Sequence, residues 1–252
     1  MNHGLPSRGN DSREVFDLLR NGLSRLFLDS SQEVVLMPPV IPLEVVRRAE
    51  YDQLFPHLLG IVRTGAGSSG PELALTPAAC HHVYPEWQGA SVDGPKVRAV
   101  EADCFRFETS TELGRLRSFR MLEFVCLGSP ETCDAWQKGV RSAARDFFAS
   151  LGVDVRIALA SDPFFGRGGR LLANNQVEEG LKQEFVAPVS SELYQAIASV
   201  NMHREHMAKV FDISGPNGEA WHTSCLAFGL DRVYLALEHA HGPDIRKWPL
   251  RE

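Results

Sequence analysis

The sequence lacks the features that carry a chain across or into a membrane. Residues 1–10 are polar and contain no apolar stretch of the kind found in a secretory signal. No apolar run approaches the ~18 residues that span a bilayer. The five cysteines are an odd number and contain no CxxC pair, which argues against a disulfide framework and a structural zinc ribbon. These absences predict a cytoplasmic protein, and we expect residues 1–10 to be a flexible N-terminus.

Basic runs, internal repeats and histidine motifs are also absent. The 26 basic and 32 acidic residues are mixed along the chain and give a net charge of −6. Nucleic-acid binding needs clustered positive charge, so a nucleic acid is not favoured as a partner. Without an HExxH motif or a comparable histidine cluster, a zinc hydrolase is the least expected class of enzyme. The chain of 252 residues, 44% hydrophobic, is long enough for one sizeable core.

The order of the predicted elements favours an α+β fold with a largely antiparallel sheet, formed by residues 11–252 as a single domain. Helical spacing of apolar residues predicts helices over 11–28, 43–55, 132–151 and 230–239. Apolar and β-branched runs predict strands over 33–37, 97–100, 104–108, 120–127, 153–160, 185–189, 193–200 and 221–227. Glycine-rich stretches predict loops over 64–71 and 166–169. Residues 65–70 match the GxGxxG spacing, but a proline follows instead of a helix, so a dinucleotide site is not indicated.

Two short arginine motifs stand out, at residues 105–108 and 229–232. On a strand, alternation would place Arg106 and Glu108 on one face, with Phe119 on the returning strand. Arg232 would lie in the first turn of the last helix, where a cation is unfavourable unless an anion is also present. Each motif taken alone also fits an ordinary solvated surface. Together, two arginines fixed on a scaffold suit a polyphosphate.

Cys80, Glu123 and Cys225 form a candidate metal site around these motifs. Two thiolates and a carboxylate are suitable zinc ligands, and a fourth position would remain open. The alternative is that the cysteines are small buried hydrophobic residues, which we assign to the other three, Cys104, Cys126 and Cys133. The histidines His81, His82 and His222 also lie near in sequence and compete as ligands, and spacing does not choose among them.

With these motifs in this order, the chain resembles the catalytic core of a class II aminoacyl-tRNA synthetase over residues 10–240. Residues 37–39 resemble motif 1, residues 105–108 motif 2 and residues 229–232 motif 3. The nearest resemblance is to the archaeal-type, zinc-dependent seryl-tRNA synthetases, whose ligands are Cys, Glu and Cys in the places of Cys80, Glu123 and Cys225. The segments 162–165 and 199–201 also fit a seryl-type core.

The sequence departs from those synthetases in two places. The region resembling motif 1 begins by about residue 34, so we expect no tRNA-binding domain before it. That pattern resembles the bacterial amino acid:[carrier protein] ligases, which form an aminoacyl-adenylate and pass the acyl group to the phosphopantetheine thiol of a carrier protein. Ala196 stands three residues before Ser199, where an acidic magnesium ligand is often found, so the magnesium ligands are not identified.

The resemblance implies a role for each motif residue in binding ATP with magnesium. Arg106 would hold the α-phosphate and stabilise the transition state, and Arg232 would hold the γ-phosphate. Glu108 would accept from the adenine amino group, and the ring of Phe119 would stack on the adenine. Zinc would take the substrate's α-amine in its open position.

The resemblance also implies a substrate pocket and protein partners. Ser199 and Asn201 would line the amino-acid pocket, with glycine or alanine as the expected substrate and serine as a further option. An acidic carrier protein could meet the basic residues around 166–182, although ordinary surface charge is the slightly favoured explanation for them: Arg167, Arg170 and Lys182. Motif 1 forms the dimer surface in class II cores, and residues 37–42 are unusually apolar, so we expect a homodimer built through residues 30–60.

Two other functions stay open. One is a synthetase paralogue that binds an amino acid and regulates without catalysis. The other is a tRNA-charging enzyme whose tRNA-binding part is a separate chain. Pyrophosphate exchange and a tRNA shift assay would separate them.

Overall fold

A computed structural model describes residues 4–63, 65 and 70–250, except for the side chain of Arg167. Ten strands are described: β1 Val34–Leu36, β2 Val40–Pro42, β3 Ile61–Val62, β4 Leu73–Leu75, β5 Lys96–Phe105, β6 Ser118–Gly128, β7 Arg156–Leu159, β8 Lys182–Pro188, β9 Tyr194–Arg204 and β10 His222–Gly229. The α-helices are α1 Asn10–Phe27, α2 Leu43–Arg48, α3 Tyr51–Leu54, α4 Tyr84–Trp87, α5 Pro130–Ser150, α6 Gly166–Glu178, α7 His206–Val210 and α8 Leu230–His241. Two 3-10 turns span Ala79–His82 and Ile245–Lys247.

A seven-stranded sheet organises the molecule, in the order β1-β5-β6-β10-β9-β8-β7. Only the β1–β5 pair is parallel among the described strands of this sheet, and the other neighbours are antiparallel. A second sheet has the order β2-β4-β3. The predicted α+β fold with a largely antiparallel sheet is confirmed.

Helices cover both faces of the seven-stranded sheet, so its central strands are buried along most of their length. On one face, α1, α5 and α8 pack on the sheet around Leu19, Phe124, Phe148 and Phe228. On the other face, the turn Ala79–His82 with α4 and α7 packs around Tyr84. Because side chains alternate along a strand, Leu122 and Phe124 face the first layer while Glu123 faces the second. The acidic side chain of Glu123 therefore lies under the 3-10 turn.

Several predicted boundaries are wrong for physical reasons. The predicted strands 97–100 and 104–108 are a single strand that ends at Phe105, because Glu101 and Asp103 inside it are ion-paired with Arg120 and do not interrupt the ladder. Arg106 and Glu108 therefore follow the strand instead of alternating on it. The predicted helix 43–55 is divided at Glu50, which has a φ of 58°.

The predicted loop 166–169 is the first turn of α6. Its three glycines have low helix propensity and are typical of loops, so this stretch predicts a loop. The apolar residues with helical spacing come later in the same helix. Of the predicted loop 64–71, residues 64 and 66–69 lie outside the described residues. None of the described helices is long and apolar enough to cross a membrane.

Candidate active site

The middle of the sheet brings together the three predicted metal ligands. Cys225 on β10 lies opposite Val125, two residues beyond Glu123 on β6, so Glu123 and Cys225 project from the same face. Cys80 approaches from the turn Ala79–His82. The Glu123 carboxylate accepts hydrogen bonds from the backbone nitrogens of Ala79 at 3.0 Å and Cys80 at 3.2 Å, and these bonds hold the turn on the sheet.

The pKa values of the Cys80 and Cys225 thiols depend on each other. The Cys80 thiol donates a hydrogen bond to Cys225, which holds the pKa of Cys225 well below its usual range and raises that of Cys80 well above it. Burial raises the pKa of Glu123 to about 7. The amide nitrogen of Asn201 lies 3.3 Å from the sulfur of Cys225. The carboxyl group of Glu123 and the two sulfurs are therefore buried and close together.

The chemistry of these donors fits a zinc ion, since thiolate and carboxylate are both zinc ligands. Their present positions are those of a hydrogen-bonded cluster. No group of three or more histidine, cysteine, aspartate or glutamate side chains in the described ranges is arranged to hold a metal ion. Both Glu123 oxygens accept backbone hydrogen bonds instead.

The competing histidines occupy different surroundings. His82 is bonded through Nε2 to the hydroxyl of Thr76 at 3.0 Å, away from the sulfurs. His222 lies at the start of β10, opposite Gly128. His81 is buried, and burial lowers its pKa to about 3, so its imidazole is neutral. The sequence analysis missed His203 on β9, whose Nε2 lies 3.7 Å from the Cys225 sulfur.

The first arginine motif borders this cluster. Arg106 donates from Nε to the carbonyl of Pro77 at 3.0 Å, three residues before Cys80. Its guanidinium lies 5.4 Å from the centre of the Phe119 ring, a cation–π distance. Glu108 lies beyond Arg106 in the β5–β6 loop, with its carboxylate 3.8 Å from Arg115. Arg106 and Phe119 thus adjoin each other, and Glu108 is close to them in the chain.

The second arginine lies across the same space. Arg232, in the first turn of α8, donates to the carbonyl oxygens of Gly114 at 2.9 Å and Ala196 at 3.0 Å. Its pKa is lowered to about 10, first by burial and then by the positive charges of Arg115 and Arg106. Arg106 and Arg232 are largely buried, Arg115 is exposed beside them, and the mutual repulsion of these cations makes a site that an anion would stabilise.

The comparisons with known proteins identify the family. No protein-family model matches the chain. Amino acid--[acyl-carrier-protein] ligase 1 of Bradyrhizobium diazoefficiens is 38% identical, over 88% of this chain and 76% of that protein. The chain belongs to the amino acid--[acyl-carrier-protein] ligase family. Ligase 2 of the same organism is 39% identical over 88% of this chain and 74% of that protein.

The fold of this ligase family member is that of a class II seryl-tRNA synthetase. A solved complex of the Methanopyrus kandleri seryl-tRNA synthetase with tRNASec of A. aeolicus matches with a TM-score of 0.77 at 22% identity. The match covers 98% of this chain and 56% of the synthetase chain, so the chain spans little more than half of that synthetase. At this identity the likeness concerns the fold.

The predicted pocket residues of the ligase lie beside the thiols. Ser199 and Asn201 project from the same face of β9, and the Asn201 amide donates to the Ser199 hydroxyl at 3.2 Å. Asn201 is directly opposite Cys225 on the neighbouring strand. The structure therefore places Ser199 and Asn201 beside Cys225, one of the three metal-ligand candidates.

Two further polar side chains lie near Arg106: Tyr51, which no sequence motif marks, and His81, one of the competing metal ligands considered from sequence. Tyr51 and His81 are 7% and 9% exposed, and their rings meet edge to face with centres 5.7 Å apart. The Tyr51 hydroxyl and His81 Nδ1 are buried without a hydrogen-bond partner among the described residues. The short helices over residues 43–54 carry no sequence motif. The position of Tyr51 near the site therefore follows only from its packing against the turn Ala79–His82.

The three basic residues proposed for carrier docking differ in exposure. Arg170 is exposed on α6, whereas the side chain of Arg167, in the same helix, lies outside the described residues. Lys182 is only 13% exposed and is ion-paired with Asp162. Although burial by itself would raise the pKa of Asp162, Lys182 lowers it below its usual value. Lys182 therefore offers little surface to a partner.

Proposed function

We propose that the protein activates a small amino acid with ATP, as an aminoacyl-adenylate, and transfers the aminoacyl group to the phosphopantetheine thiol of a carrier protein. One observation carries this proposal: Arg106 is held on Pro77, three residues before Cys80, and lies near enough to Arg232 for its charge to lower the pKa of Arg232. A polyphosphate site and a soft metal site side by side suit the activation of a carboxylate. The two amino acid--[acyl-carrier-protein] ligases of Bradyrhizobium diazoefficiens, to which the chain is similar, support the same reaction class.

In this proposal the arginines bind ATP, which enters with magnesium. Arg106 holds the α-phosphate, and Arg232 exchanges its bonds to backbone carbonyls for bonds to the γ-phosphate. The adenine stacks on Phe119, and its amino group donates to Glu108. A carboxylate oxygen of the amino acid attacks the α-phosphorus, the bond to the bridging oxygen breaks, and pyrophosphate leaves. Positioning and charge stabilisation account for such a step without a protein nucleophile.

Cys80, Glu123 and Cys225 are proposed to hold zinc, which when bound offers its open position to the neutral α-amine of the substrate. The Asn201 amide orients the Cys225 sulfur and, with Ser199, limits the pocket on the β9 side. A crowded pocket of this kind suits a short side chain, and glycine or alanine is the proposed substrate.

The second half-reaction brings in the carrier. The phosphopantetheine sulfur, as a thiolate, attacks the acyl carbon of the adenylate, a thioester forms and AMP leaves. We propose that the carrier docks beside α6, where Arg167 and Arg170 supply positive charge for an acidic partner. Exposed apolar side chains on and beside this helix support a contact surface: Phe165, Leu171, Leu172 and Val177.

The remaining proposals concern assembly and domain organisation. We propose a homodimer through residues 30–60, supported by Leu36, which is 68% exposed on the edge strand β1. Residues 11–252 are proposed to be one class II catalytic domain. A location in the cytoplasm stays a prediction.

ATP–pyrophosphate exchange, measured with each of the twenty amino acids, tests the proposed function. We expect exchange with one or two small amino acids. No exchange with any amino acid, despite amino-acid binding in a thermal-shift assay, would favour a regulatory paralogue.

A further inference from the structure

Arg8 lies outside both arginine motifs. It contacts Asp231 in the second motif and Asp103 on β5, the strand that leads into the first. Its guanidinium donates two hydrogen bonds of 3.0 Å to Asp231, from Nε to Oδ1 and from Nη2 to Oδ2. The remaining nitrogen, Nη1, donates to Oδ1 of Asp103 at 2.9 Å. A planar guanidinium that reaches two carboxylates at once holds them at a set separation.

Both carboxylates are anchored to the strand that carries Phe119. Oδ2 of Asp231 also accepts the backbone N–H of Arg120 at 2.6 Å. Asp103 pairs with the Arg120 side chain, at 3.0 Å to Nε and 2.8 Å to Nη2. Asp231 directly precedes Arg232, and Arg120 directly follows Phe119. Arg8 therefore fixes the start of α8 relative to the backbone next to the Phe119 ring.

Gly4 makes a second attachment to the same strand. Its carbonyl oxygen accepts the backbone N–H groups of Arg117 at 2.7 Å and Ser118 at 3.1 Å, immediately before Phe119. Gly4 has a φ of 74°, and a Cβ there would lie 2.9 Å from the Arg117 nitrogen. Only glycine meets both conditions without strain. Residues 4–9 thus hold the stretch 117–120 at two points.

Arg8 belongs to a network of ion pairs. Three carboxylates, of Glu101, Asp103 and Asp231, are paired with three guanidinium groups, and the exposed Asp17 also pairs with Arg20. Arg8, Arg20 and Arg120 supply the guanidinium groups. Loss of Arg8 would leave an unbalanced negative charge one residue away from Arg232. Such a charge would oppose the binding of an anionic polyphosphate.

We propose that Arg8 is a positioning residue for ATP, which sets the separation between the Phe119 ring and the guanidinium of Arg232. This inference rests on the proposed function, in which those two residues bind the adenine and the γ-phosphate. Gly4 supports the same role by fixing the strand just before Phe119. Arg8 itself does not touch the nucleotide.

The test compares Arg8→Gln and Arg8→Lys with the matched control Arg13→Ala in pyrophosphate exchange. Arg13 is an exposed arginine at the start of α1 that bonds to Asn10. For Arg8→Gln we expect the KM for ATP to rise roughly tenfold, since small misplacements of binding groups are costly. The KM for the amino acid should stay within about twofold, because the metal-ligand cluster is not attached to Arg8. Arg8→Lys keeps the positive charge but loses the planar guanidinium that donates to two carboxylates. Its KM for ATP should lie between those of wild type and Arg8→Gln.

Gly4→Ala tests the inference through a different contact. It should also raise the KM for ATP, and the KM for the amino acid should stay unchanged. An Arg8→Gln protein with an unchanged KM for ATP overturns the inference, whether or not its melting temperature falls. If Arg8→Gln does not fold, Arg8→Lys and Gly4→Ala decide by the same criterion. Failure of the proposed function gives a different result, namely no exchange by the wild-type protein.

Discussion

Arg232 donates its Nε hydrogen to the backbone carbonyl of Gly114 at 2.9 Å, across 118 positions of sequence. Gly114 lies in the loop between β5 and β6 and has a φ of 75°. A Cβ at this position would lie 2.1 Å from Oε1 of Gln195. The β5–β6 loop, which follows the first arginine motif, is therefore hydrogen-bonded to Arg232 of the second motif. Binding of a phosphate by Arg232 would exchange this bond for a stronger charge-assisted one.

Arg106→Ala and Arg232→Ala should each lower pyrophosphate exchange by about 10²- to 10³-fold, the effect of removing one donor to a developing charge. Each protein should still fold, with the free energy of unfolding reduced by about 1–3 kcal/mol for the lost bonds to buried carbonyls. Arg145→Ala, at an exposed position on α5, is the control and should resemble wild type. Near-normal exchange by either site variant would remove that arginine from the proposed site.

Cys80→Ser and Cys225→Ser should each reduce the zinc content of the purified protein from about one ion per chain towards zero. The reason is that a buried site with three protein ligands does not retain the metal firmly with two. Metal analysis by mass spectrometry measures the content. Cys133→Ala, a buried cysteine in a separate cluster, should keep its zinc. If Cys225→Ser binds as much zinc as wild type, the proposed ligand set is wrong.

The buried Tyr51 hydroxyl lies near Arg106 and has no partner among the described residues, so we predict that it binds the substrate. Tyr51→Phe should then raise the KM for the amino acid about tenfold through the lost hydrogen bond. The melting temperature should stay the same or rise, because the hydroxyl has no partner among the described residues. Tyr234→Phe, on α8, is the control. A rise in melting temperature with an unchanged KM would mean that the Tyr51 hydroxyl is only an unsatisfied group and does not bind substrate.

Leu36→Glu should convert the proposed homodimer into a monomer, because it places a charge in an apolar edge of the dimer surface. Analytical ultracentrifugation at micromolar concentration measures the mass of the species. The matched control is Leu172→Glu, at an exposed leucine on α6 outside residues 30–60. A wild-type protein that sediments as a monomer would contradict the proposal directly.

The aminoacyl group should pass to a carrier protein that bears phosphopantetheine and not to tRNA. Labelled amino acid and ATP are offered with holo-carrier, apo-carrier or tRNA. Label on the holo form alone is expected, since only that form has the thiol, and hydroxylamine should release it as from a thioester. Stable label on tRNA would establish the tRNA-charging alternative instead.

Local sequence sufficed for the parts of the protein that use short, chemically distinctive patterns. The two arginine motifs, the order of Cys80, Glu123 and Cys225, and the apolar runs of β6 and β10 predicted the fold class and the family. These features are visible because the residue types themselves are uncommon in that spacing. The assignment of a metal to the three ligands stays a prediction.

Only the tertiary structure decided which other residues meet these motifs. Arg8, Tyr51 and His203 carry no local signal, and each reaches the site through strand pairing or packing between distant segments. Burial then sets their chemistry, since removal from water changes the pKa of a buried group and makes an unpaired hydroxyl costly. The sequence alone determined the family and the fold class. The pairing and packing of separate segments decided the neighbours of the motif residues, because contacts between residues 22 to 223 positions apart leave no local periodicity to read.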